Sequence, residues 1–301
     1  MFKMTTNVAE ANVITHAGTL HADDVLATVI LERVLGDITV CRTSKIPDER
    51  LSDDVIIYDI GFGKYDHHQK GGNSCRENGV PYASVGLIWR DFGRQLVANT
   101  CNPDLVCQLI DRDLIQGVDA ADNGKLPKAD YPAQAMTFYQ TISLFNPNWD
   151  SKMTSDDAFA NAVNFSKIVF DNFFESVVSK AKAQGIVEES ISKAEGHIIE
   201  LCQFVPWQEF VFSSKNEKAN DVQFVVFPSN RGGYNWQCVP DVLGGFGQRK
   251  SVPNEWRGLS GPKLQEVTGI ATASFCHPAG FIGGAETLED ARKLAKLAVE
   301  A

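Results

Sequence analysis

The apolar residues of the first hundred positions follow two kinds of pattern. Residues 13–14, 38–41 and 55–58 form short, uninterrupted and mostly β-branched runs, which are typical of strands covered on both faces in a parallel sheet. Residues 23–35 and 84–99 instead carry apolar side chains at helical spacing. Strands that alternate with helices predict an α/β domain with a mainly parallel sheet flanked by helices.

Two further helices are predicted before the pattern changes. Residues 103–116 begin with Pro103, which suits the first helical position, and Gly117 is expected to end this helix. A longer helix is expected over 155–184, and Gly185 is expected to end it.

The last third of the chain has short apolar runs separated by turn residues. Strands are predicted at 197–201, 210–212, 222–227, 236–239 and 273–276, followed by a loop over 277–284 and a closing helix from about residue 287. This pattern predicts a smaller α+β domain with a mixed sheet. We therefore expect two domains: a catalytic domain over 1–185 that includes the long helix, and a substrate-binding domain over 186–301.

The composition is that of an ordinary enzyme with a buried core. Hydrophobic residues make up 44% of the 301 positions, and the formal charge of -10 argues against a protein that coats long duplexes. The seven cysteines are scattered, as expected for reduced thiols. No signal segment and no run of membrane-spanning length occurs, so we expect a cytoplasmic protein without membrane contact.

Histidines and aspartates cluster where the predicted strands end. His16, His21 and Asp23 follow the strand at 13–14, and Asp59 follows the strand at 55–58. The remaining members of the set are His67, within Tyr65-Asp66-His67-His68-Gln69, and Asp119. The carboxyl ends of strands in an open α/β sheet meet at one edge, where imidazoles and carboxylates together suit divalent transition metals. Each residue alone is better explained as a helix-start or turn residue, whereas the full set favours a site.

The second predicted domain carries a basic segment. Between residues 228 and 263, five basic side chains face only two acidic ones, against the sign of the whole chain. The basic residues are Arg231, Arg249, Lys250, Arg257 and Lys263. A single-stranded nucleic acid or nucleotide would prefer such a segment, and a base could stack on Trp236 or Trp256. The alternatives are a solvated surface and two tryptophans of the core.

Several motifs together resemble the Myg-one (melanocyte-proliferating-gene) family of the DHH phosphoesterase superfamily. They span nearly the whole chain and comprise the segment from Thr15 to Asp24, Tyr65-Asp66-His67-His68-Gln69, Val118-Asp119-Ala120-Ala121-Asp122-Asn123-Gly124, Trp256-Arg257-Gly258-Leu259 and Phe281-Ile282-Gly283-Gly284. The resemblance implies a DHH-type domain and a smaller carboxyl-terminal domain. It also implies a 3'-5' exonuclease or related phosphodiesterase that uses two divalent ions, Mn²⁺ or alternatively Mg²⁺.

The resemblance also implies roles for individual residues. His16 and His21 would bind one metal ion, Asp23, His67 and Asp119 the other, and Asp59 would bridge the two. Asp66 would orient a ligand, and His68 would face the scissile phosphate. The loop containing His277, Gly283 and Gly284 would hold the substrate, although a plain strand-to-helix turn explains this loop equally well. The local charge, rather than the resemblance, adds Arg231 and Arg257 to the expected substrate residues. The wider superfamily has an aspartate where His21 stands.

Asp122 is an alternative to Asp119 as the ligand. Spacing does not decide between them, but Asp119 directly follows the predicted helix end, whereas Asp122 lies in an Asp-Asn-Gly turn. We therefore expect Asp119 to be the ligand.

The leading hypothesis is a two-metal phosphodiesterase that acts on single-stranded RNA or short oligonucleotides. A phosphatase or pyrophosphatase of small nucleotides, and a non-catalytic protein that binds metal or nucleotide, are the alternatives. Protein partners are not indicated by the sequence, and a homodimer is left open.

Overall fold

Four short strands of the amino-terminal part pair in parallel. They are β1 (Phe2–Thr5), β2 (Val13–His16), β3 (Ile38–Thr43) and β4 (Ile56–Ile57), in the order β1-β3-β2-β4. The computed structural model describes residues 1–51, 54–125, 133 and 135–301. The predicted α/β fold with a mainly parallel sheet is confirmed. The edge strand β1 was not predicted, because its Lys3 interrupts the apolar run.

The centre of this sheet is covered on both faces, which explains the unbroken apolar runs of its strands. Val13 and Ile14 of β2 are fully buried. The helix α1 (Ala22–Leu35) that follows β2 is buried from Ala22 to Glu32, including two aspartates of its first turn. A helix that is buried over so much of its surface holds its own polar groups rigidly at the edge of the sheet.

The helix that begins at Pro103 does not end where the sequence predicts. Gly117 does not end a helix: α3 (Pro103–Ile110) continues through a π-helical turn (Asp111–Ile115) into α4 (Gln116–Asp122). A π turn inserts one extra residue into a turn while the helix continues. The spacing of apolar residues in the sequence does not reveal such a turn. The other helices of this part are α2 (Ser84–Val97), α5 (Phe138–Ser143) and α6 (Ser155–Ser192).

The backbone divides into two units, Met1–Val178 and Ser179–Ala301. The division falls inside α6, which continues through Gly185 for almost two further turns, so the predicted helix end at Gly185 is wrong. Nothing lies within 4 Å of a Cβ placed on Gly185. The assignment of catalysis and substrate binding to the predicted domains 1–185 and 186–301 stays a prediction. None of the described helices combines the length and apolarity that a membrane span requires.

The second unit contains a mixed five-stranded sheet, as predicted. Its strands are β5 (Ile198–Glu200), β6 (Phe224–Pro228), β7 (Tyr234–Cys238), β8 (Ala273–Cys276) and β9 (Ile282–Ala285), in the order β5-β6-β7-β9-β8. Only β5 and β6 are parallel neighbours. The helices of this unit, besides the end of α6, are α7 (Gln208–Ser213), α8 (Lys218–Asp221), α9 (Pro262–Thr268) and α10 (Leu288–Glu300).

Two predictions in this unit are wrong. Residues 210–212 belong to the helix α7, because an apolar triplet is too short to distinguish a strand from a buried helical turn. Ile282–Ala285, predicted as part of a loop, forms the strand β9 between β7 and β8. The two glycines of this strand replace side chains where other residues approach the backbone.

One face of the second sheet carries the core of the unit. Trp236 and Trp256 are 1% and 4% exposed and meet edge to face at 6.4 Å, beside Leu294 of α10. A base cannot stack on rings buried to this extent, so the alternative of two core tryptophans is confirmed and stacking on them is excluded. Gly283 packs directly on Trp236: a Cβ at this position would stand 2.2 Å from Cζ2 of the indole.

We expect Gly283→Ala to lower the free energy of unfolding by more than about 2 kcal/mol, because the added methyl group overlaps Trp236 and a backbone carbonyl. Gly185→Ala is the control, since it lies in a helix of the same unit with open space around it. It should leave stability unchanged or raise it by up to about 1 kcal/mol. Urea denaturation of the full chain measures both, and equal effects would contradict this packing.

Candidate metal centre

His16 and Asp59 meet because their strands are neighbours. His16 ends β2, and Asp59 comes two residues after β4, which pairs with β2 in parallel. Nε2 of His16 lies 3.2 Å from Oδ2 of Asp59 and 3.2 Å from Oδ2 of Asp24. The prediction that the strand ends bring these groups to one edge agrees with this placement of His16 and Asp59.

Asp59 is held in an unusual backbone conformation. Its φ is +56°, in the left-handed region that non-glycine residues seldom adopt. Its N–H donates to the carbonyl of Tyr65, and the hydroxyl of Ser84 donates to its Oδ1 at 3.2 Å. Because Asp59 is only 3% exposed, the fold accepts both backbone strain and burial of a carboxylate at this position. Such a combination is typical of a functional residue.

The start of α1 directs its two aspartates to different partners. Asp24 accepts the N–H of His21 with Oδ1 at 2.8 Å, while its Oδ2 faces His16. Asp23 accepts the N–H groups of Ser84 at 3.0 Å and Val85 at 2.6 Å, which belong to the first turn of α2. Both aspartates are fully buried. The amino-terminal amides and dipole of α2 therefore stabilise Asp23 as an anion.

His67 connects the carboxylates on the other side of Asp59. Its Nε2 lies 3.1 Å from Oδ2 of Asp122, 3.3 Å from Oδ1 of Asp59 and 4.0 Å from Oδ2 of Asp23. In the part of the chain that the structure describes, three groups of residues offer potential ligand atoms within 4.8 Å of one another. They are His16, His21 and Asp59; Asp59, His67 and His68; and Asp23, His67 and Asp122. Asp59 belongs to two of them.

Several of these atoms converge without forming hydrogen bonds. Nε2 of His16, Nε2 of His67 and Oδ2 of Asp59 are buried and have no hydrogen-bond partner among the described residues, and Oδ2 of Asp24 is in the same situation. The imidazole nitrogens lie 3.2–3.3 Å from carboxylate oxygens, but the angles at these nitrogens are not those of hydrogen bonds. Buried polar atoms that point together without pairing with one another fit a bound cation.

The electrostatics of the site also show an excess of negative charge. Burial lowers the pKa of His16, but Asp24 and Asp59 outweigh it and raise the pKa to about 10. Burial likewise lowers the pKa of His67, while Asp122 and Asp59 raise it to about 10. The pKa of Asp23 is raised by burial and by the neighbouring carboxylates. In the protein alone, the negative charge of the carboxylates favours protonation of the two histidines. A divalent cation would offset the same negative charge.

Asp119 has a partner of its own. Oδ2 of Asp119 lies 2.7 Å from NH1 of Arg76, and Oδ1 accepts the N–H groups of Ala83 at 2.9 Å and Gly86 at 3.0 Å. Burial raises the pKa of Asp119 to about 6, against the opposing effect of Arg76. Asp119 belongs to none of the ligand groups of the described residues. Asp122, one helical turn later on α4, faces His67 instead.

Asp66 orients His68 rather than His67. Its Oδ1 lies 2.8 Å from Nδ1 of His68 and accepts the N–H of the same residue, and its Oδ2 accepts the N–H of Phe62. The His68 side chain is 55% exposed and packs against the His67 ring at 4.3 Å between centroids. Asp66 therefore fixes an imidazole that solvent and substrate can reach.

The predicted substrate residues of the second unit occupy different environments. His277 and Arg231 are exposed, and the backbone N–H of Ala279 donates to Nδ1 of His277. Nε of Arg257 is buried beside Gly280 without a hydrogen-bond partner among the described residues. Gly283 faces the core, and Gly284 lies on the opposite face of β9.

Three residues of the site were not predicted from the sequence. Asp24 was interpreted only as a helix-start carboxylate, although the sequence Asp23-Asp24 places two acids at one helix terminus. Ser84 and Arg76 were not considered, because a serine at a helix start and an arginine in a loop carry no chemical signature. A buried arginine becomes evident only when its carboxylate partner is located.

The fold and the site define an α/β protein with a candidate metal centre of histidines and aspartates at the carboxyl edge of a parallel sheet. Comparison with known proteins agrees with the resemblance noted in the sequence. The chain belongs to the MYG1 family: the family model MYG1_exonuc, described as an uncharacterised protein family (UPF0160), matches residues 12–299.

Curated relatives cover almost the full chain. A MYG1 protein of Schizosaccharomyces pombe is 30% identical over 96% of this chain and 97% of its own length. The MYG1 exonucleases of Mus musculus and Homo sapiens are 31% and 30% identical to this chain. The matched region covers 96% of this chain, 85% of the mouse protein and 86% of the human protein. No solved structure matches the chain significantly.

We expect Arg76→Gln to destabilise the protein by about 3–5 kcal/mol, because it removes the ion pair of the buried Asp119 and the hydrogen bonds that Arg76 donates to Asp111. The double variant with Asp119→Asn should lose clearly less than the sum of the single variants. Urea denaturation of all four proteins gives the coupling energy. The exposed pair Arg94–Asp104 serves as the control and should couple by less than about 1 kcal/mol. Additive losses at Arg76 and Asp119 would contradict the pairing.

Proposed function

We propose that this protein is a metal-dependent nuclease that cleaves phosphodiester bonds of single-stranded RNA or short oligonucleotides from the 3' end. The mammalian relatives are named exonucleases, which supports a hydrolase that acts on nucleic acid. The observation that carries the proposal is the position of Asp59, which is buried, strained and shared between two groups of convergent, unpaired ligand atoms.

The donor set fits two divalent cations. His16, His21 and Asp59 would hold one, and Asp23, Asp59, His67 and Asp122 would hold the other. This assignment uses Asp122 in place of Asp119, because Asp119 is paired with Arg76. Two cations bound here, Mn²⁺ by preference or Mg²⁺, would supply Lewis-acid activation and charge neutralisation for phosphoryl chemistry.

The protein residues prepare the site for an anionic substrate. The amides of Ser84 and Val85 fix Asp23, and Ser84 also fixes Asp59, so both carboxylates stay in place without a rearrangement. His68 is the exposed imidazole of the site, and its Nδ1–H donates to Asp66. Its Nε2 then remains for a substrate oxygen or a proton transfer. The second unit, through His277, Arg231, Arg257 and the Gly283-Gly284 segment, would contribute to substrate binding.

Hydrolysis of a 5'-labelled short RNA by the purified full chain tests the activity. We expect turnover with Mn²⁺ that chelation abolishes, and Asp59→Asn should lower kcat by at least about a thousandfold, because it removes the shared carboxylate. The exposed Asp104 provides the control Asp104→Asn, which should keep full activity.

The products of this assay separate the alternatives. Release of nucleoside monophosphates supports the proposal. Release of inorganic phosphate from nucleotides or pyrophosphate alone would replace it with a phosphatase or pyrophosphatase. If Asp59→Asn left every measured activity unchanged, the protein would instead be a non-catalytic binder.

The ligand assignment has its own test. Calorimetric titration with Mn²⁺ should show at least about tenfold weaker binding at one site for Asp122→Asn, because a direct ligand is replaced. Asp104→Asn should bind as the parent protein does. If Asp122→Asn kept its affinity while Asp119→Asn lost it, Asp119 would be the ligand, as the sequence pattern predicted.

A further inference from the structure

The face of the second sheet opposite its core is covered over β5 and β6, where Ile199, Val225 and Phe227 are buried, and is open over β7, β9 and β8. Side chains of a strand alternate between faces, and Phe224, Val226 and Trp236 point into the core. The neighbouring positions therefore face the other way. Strand pairing places Phe227 beside Asn235, Asn235 beside Gly284, and Gly284 beside Phe275. These four residues form one continuous row across β6, β7, β9 and β8.

Aromatic rings stand at both ends of this row. Phe275 is 37% exposed and packs against Gly284, where a Cβ would stand 3.1 Å from its ring. At the other end, Phe204 is 52% exposed and contacts the Phe227 ring at 5.2 Å between centroids. The glycine thus lets the Phe275 ring lie close to the sheet while part of it remains open to solvent.

Hydrogen-bonding side chains occupy the space between the rings. Asn235 and Gln237 project from β7 on this face, and Arg231 lies in the turn before it. Among the described residues, none of these three side chains has a hydrogen bond or ion pair, and the strand that carries Asn235 and Gln237 pairs with a neighbour on both sides. Together with the rings they line a cavity of about 630 Å³. The cavity is large enough for a nucleotide.

The charge of this cavity is unusual for the chain. None of its lining residues is acidic and one is Arg231, whereas the whole chain carries a net charge of -10. A second cavity in the same unit is lined by four glutamates, namely Glu189, Glu195, Glu200 and Glu300, and by the basic Lys193, Arg292 and Lys296, which offset most of their charge. Of the two cavities, the one on the open face is therefore the one that favours a polyanion.

We propose that the open face, formed by Phe204, Arg231, Asn235, Gln237, Phe275 and Gly284, binds nucleotides of a single-stranded nucleic acid. One base stacks on Phe275, the amides of Asn235 and Gln237 pair with base edges, and Arg231 contacts a phosphate. This assignment rests on the proposed nuclease function and specifies where the substrate strand is held. The binding is tolerant of sequence, because every base offers a stacking surface.

Binding of a fluorescent single-stranded oligoribonucleotide, followed by anisotropy, tests the proposal. The full chain with Asp59→Asn is used so that the strand is not consumed. We expect Phe275→Ala to weaken binding about 5- to 100-fold and Phe275→Trp to preserve it, since stacking contributes about 1–3 kcal/mol per base. Phe275→Leu, which keeps apolar volume without a π face, should also weaken binding. Arg231→Gln should lower the salt dependence by about one phosphate contact.

Two controls define the result. Leu297→Ala removes an exposed apolar side chain of α10, outside the open face, and should bind as the Asp59→Asn parent does. With Asp59 intact, Phe275→Ala should raise the KM for the oligoribonucleotide about as much as it weakens binding; a loss in kcat alone would instead indicate a disturbed metal centre. Melting temperatures verify that each variant is folded.

The outcomes separate this inference from the proposed function. If the parent binds the strand and Phe275→Ala binds it equally well, the open face is not the binding site, and the nuclease proposal stands. If the parent binds no single-stranded oligonucleotide, both proposals are overturned. If Phe275→Ala instead changes the molecular mass in solution with RNA affinity unchanged, the face joins two copies of the chain and this inference is wrong.

Discussion

The structure of the first unit depends on compensating several aspartates that are buried in one small volume. Asp23, Asp24 and Asp59 are at most 3% exposed, and like charges so close in a protein interior repel one another strongly. Helix amides compensate Asp23, and Arg76 compensates Asp119. The remaining charge faces two histidines, and the same side chains could hold a metal ion.

The first turn of α2 is the element that organises this arrangement. Ser84 and Val85 donate to Asp23, while Ala83 and Gly86 donate to Asp119, so one helix terminus holds two carboxylates on its two sides. Gly86 is needed because a Cβ there would stand 2.0 Å from the Asp119 carboxylate. Asp119 in turn lies on α4 one turn before Asp122. The ion pair of Arg76 and Asp119 therefore fixes the helical turn that carries Asp122, which faces His67.

Much of this could be predicted from sequence, for identifiable physical reasons. Unbroken β-branched runs in the sequence indicated the strands β3 and β4, the second of which precedes Asp59. Because parallel strands end at the same edge of a sheet, His16 and Asp59 could then be expected to lie close together. The different partners of Asp119 and Asp122 could not be predicted, because they depend on a π turn that carries the helix past Gly117. The role of Gly283 was also hidden, since a glycine packed on Trp236 has the same sequence pattern as a glycine in a loop.

The most direct test of the account is anomalous diffraction at the manganese absorption edge from crystals of the full chain grown with Mn²⁺. Two peaks are expected, both with Asp59 as a ligand. His16 and His21 should surround the first peak, and Asp23, His67 and Asp122 the second. Absence of a peak among these side chains, or peaks at other positions alone, would contradict it.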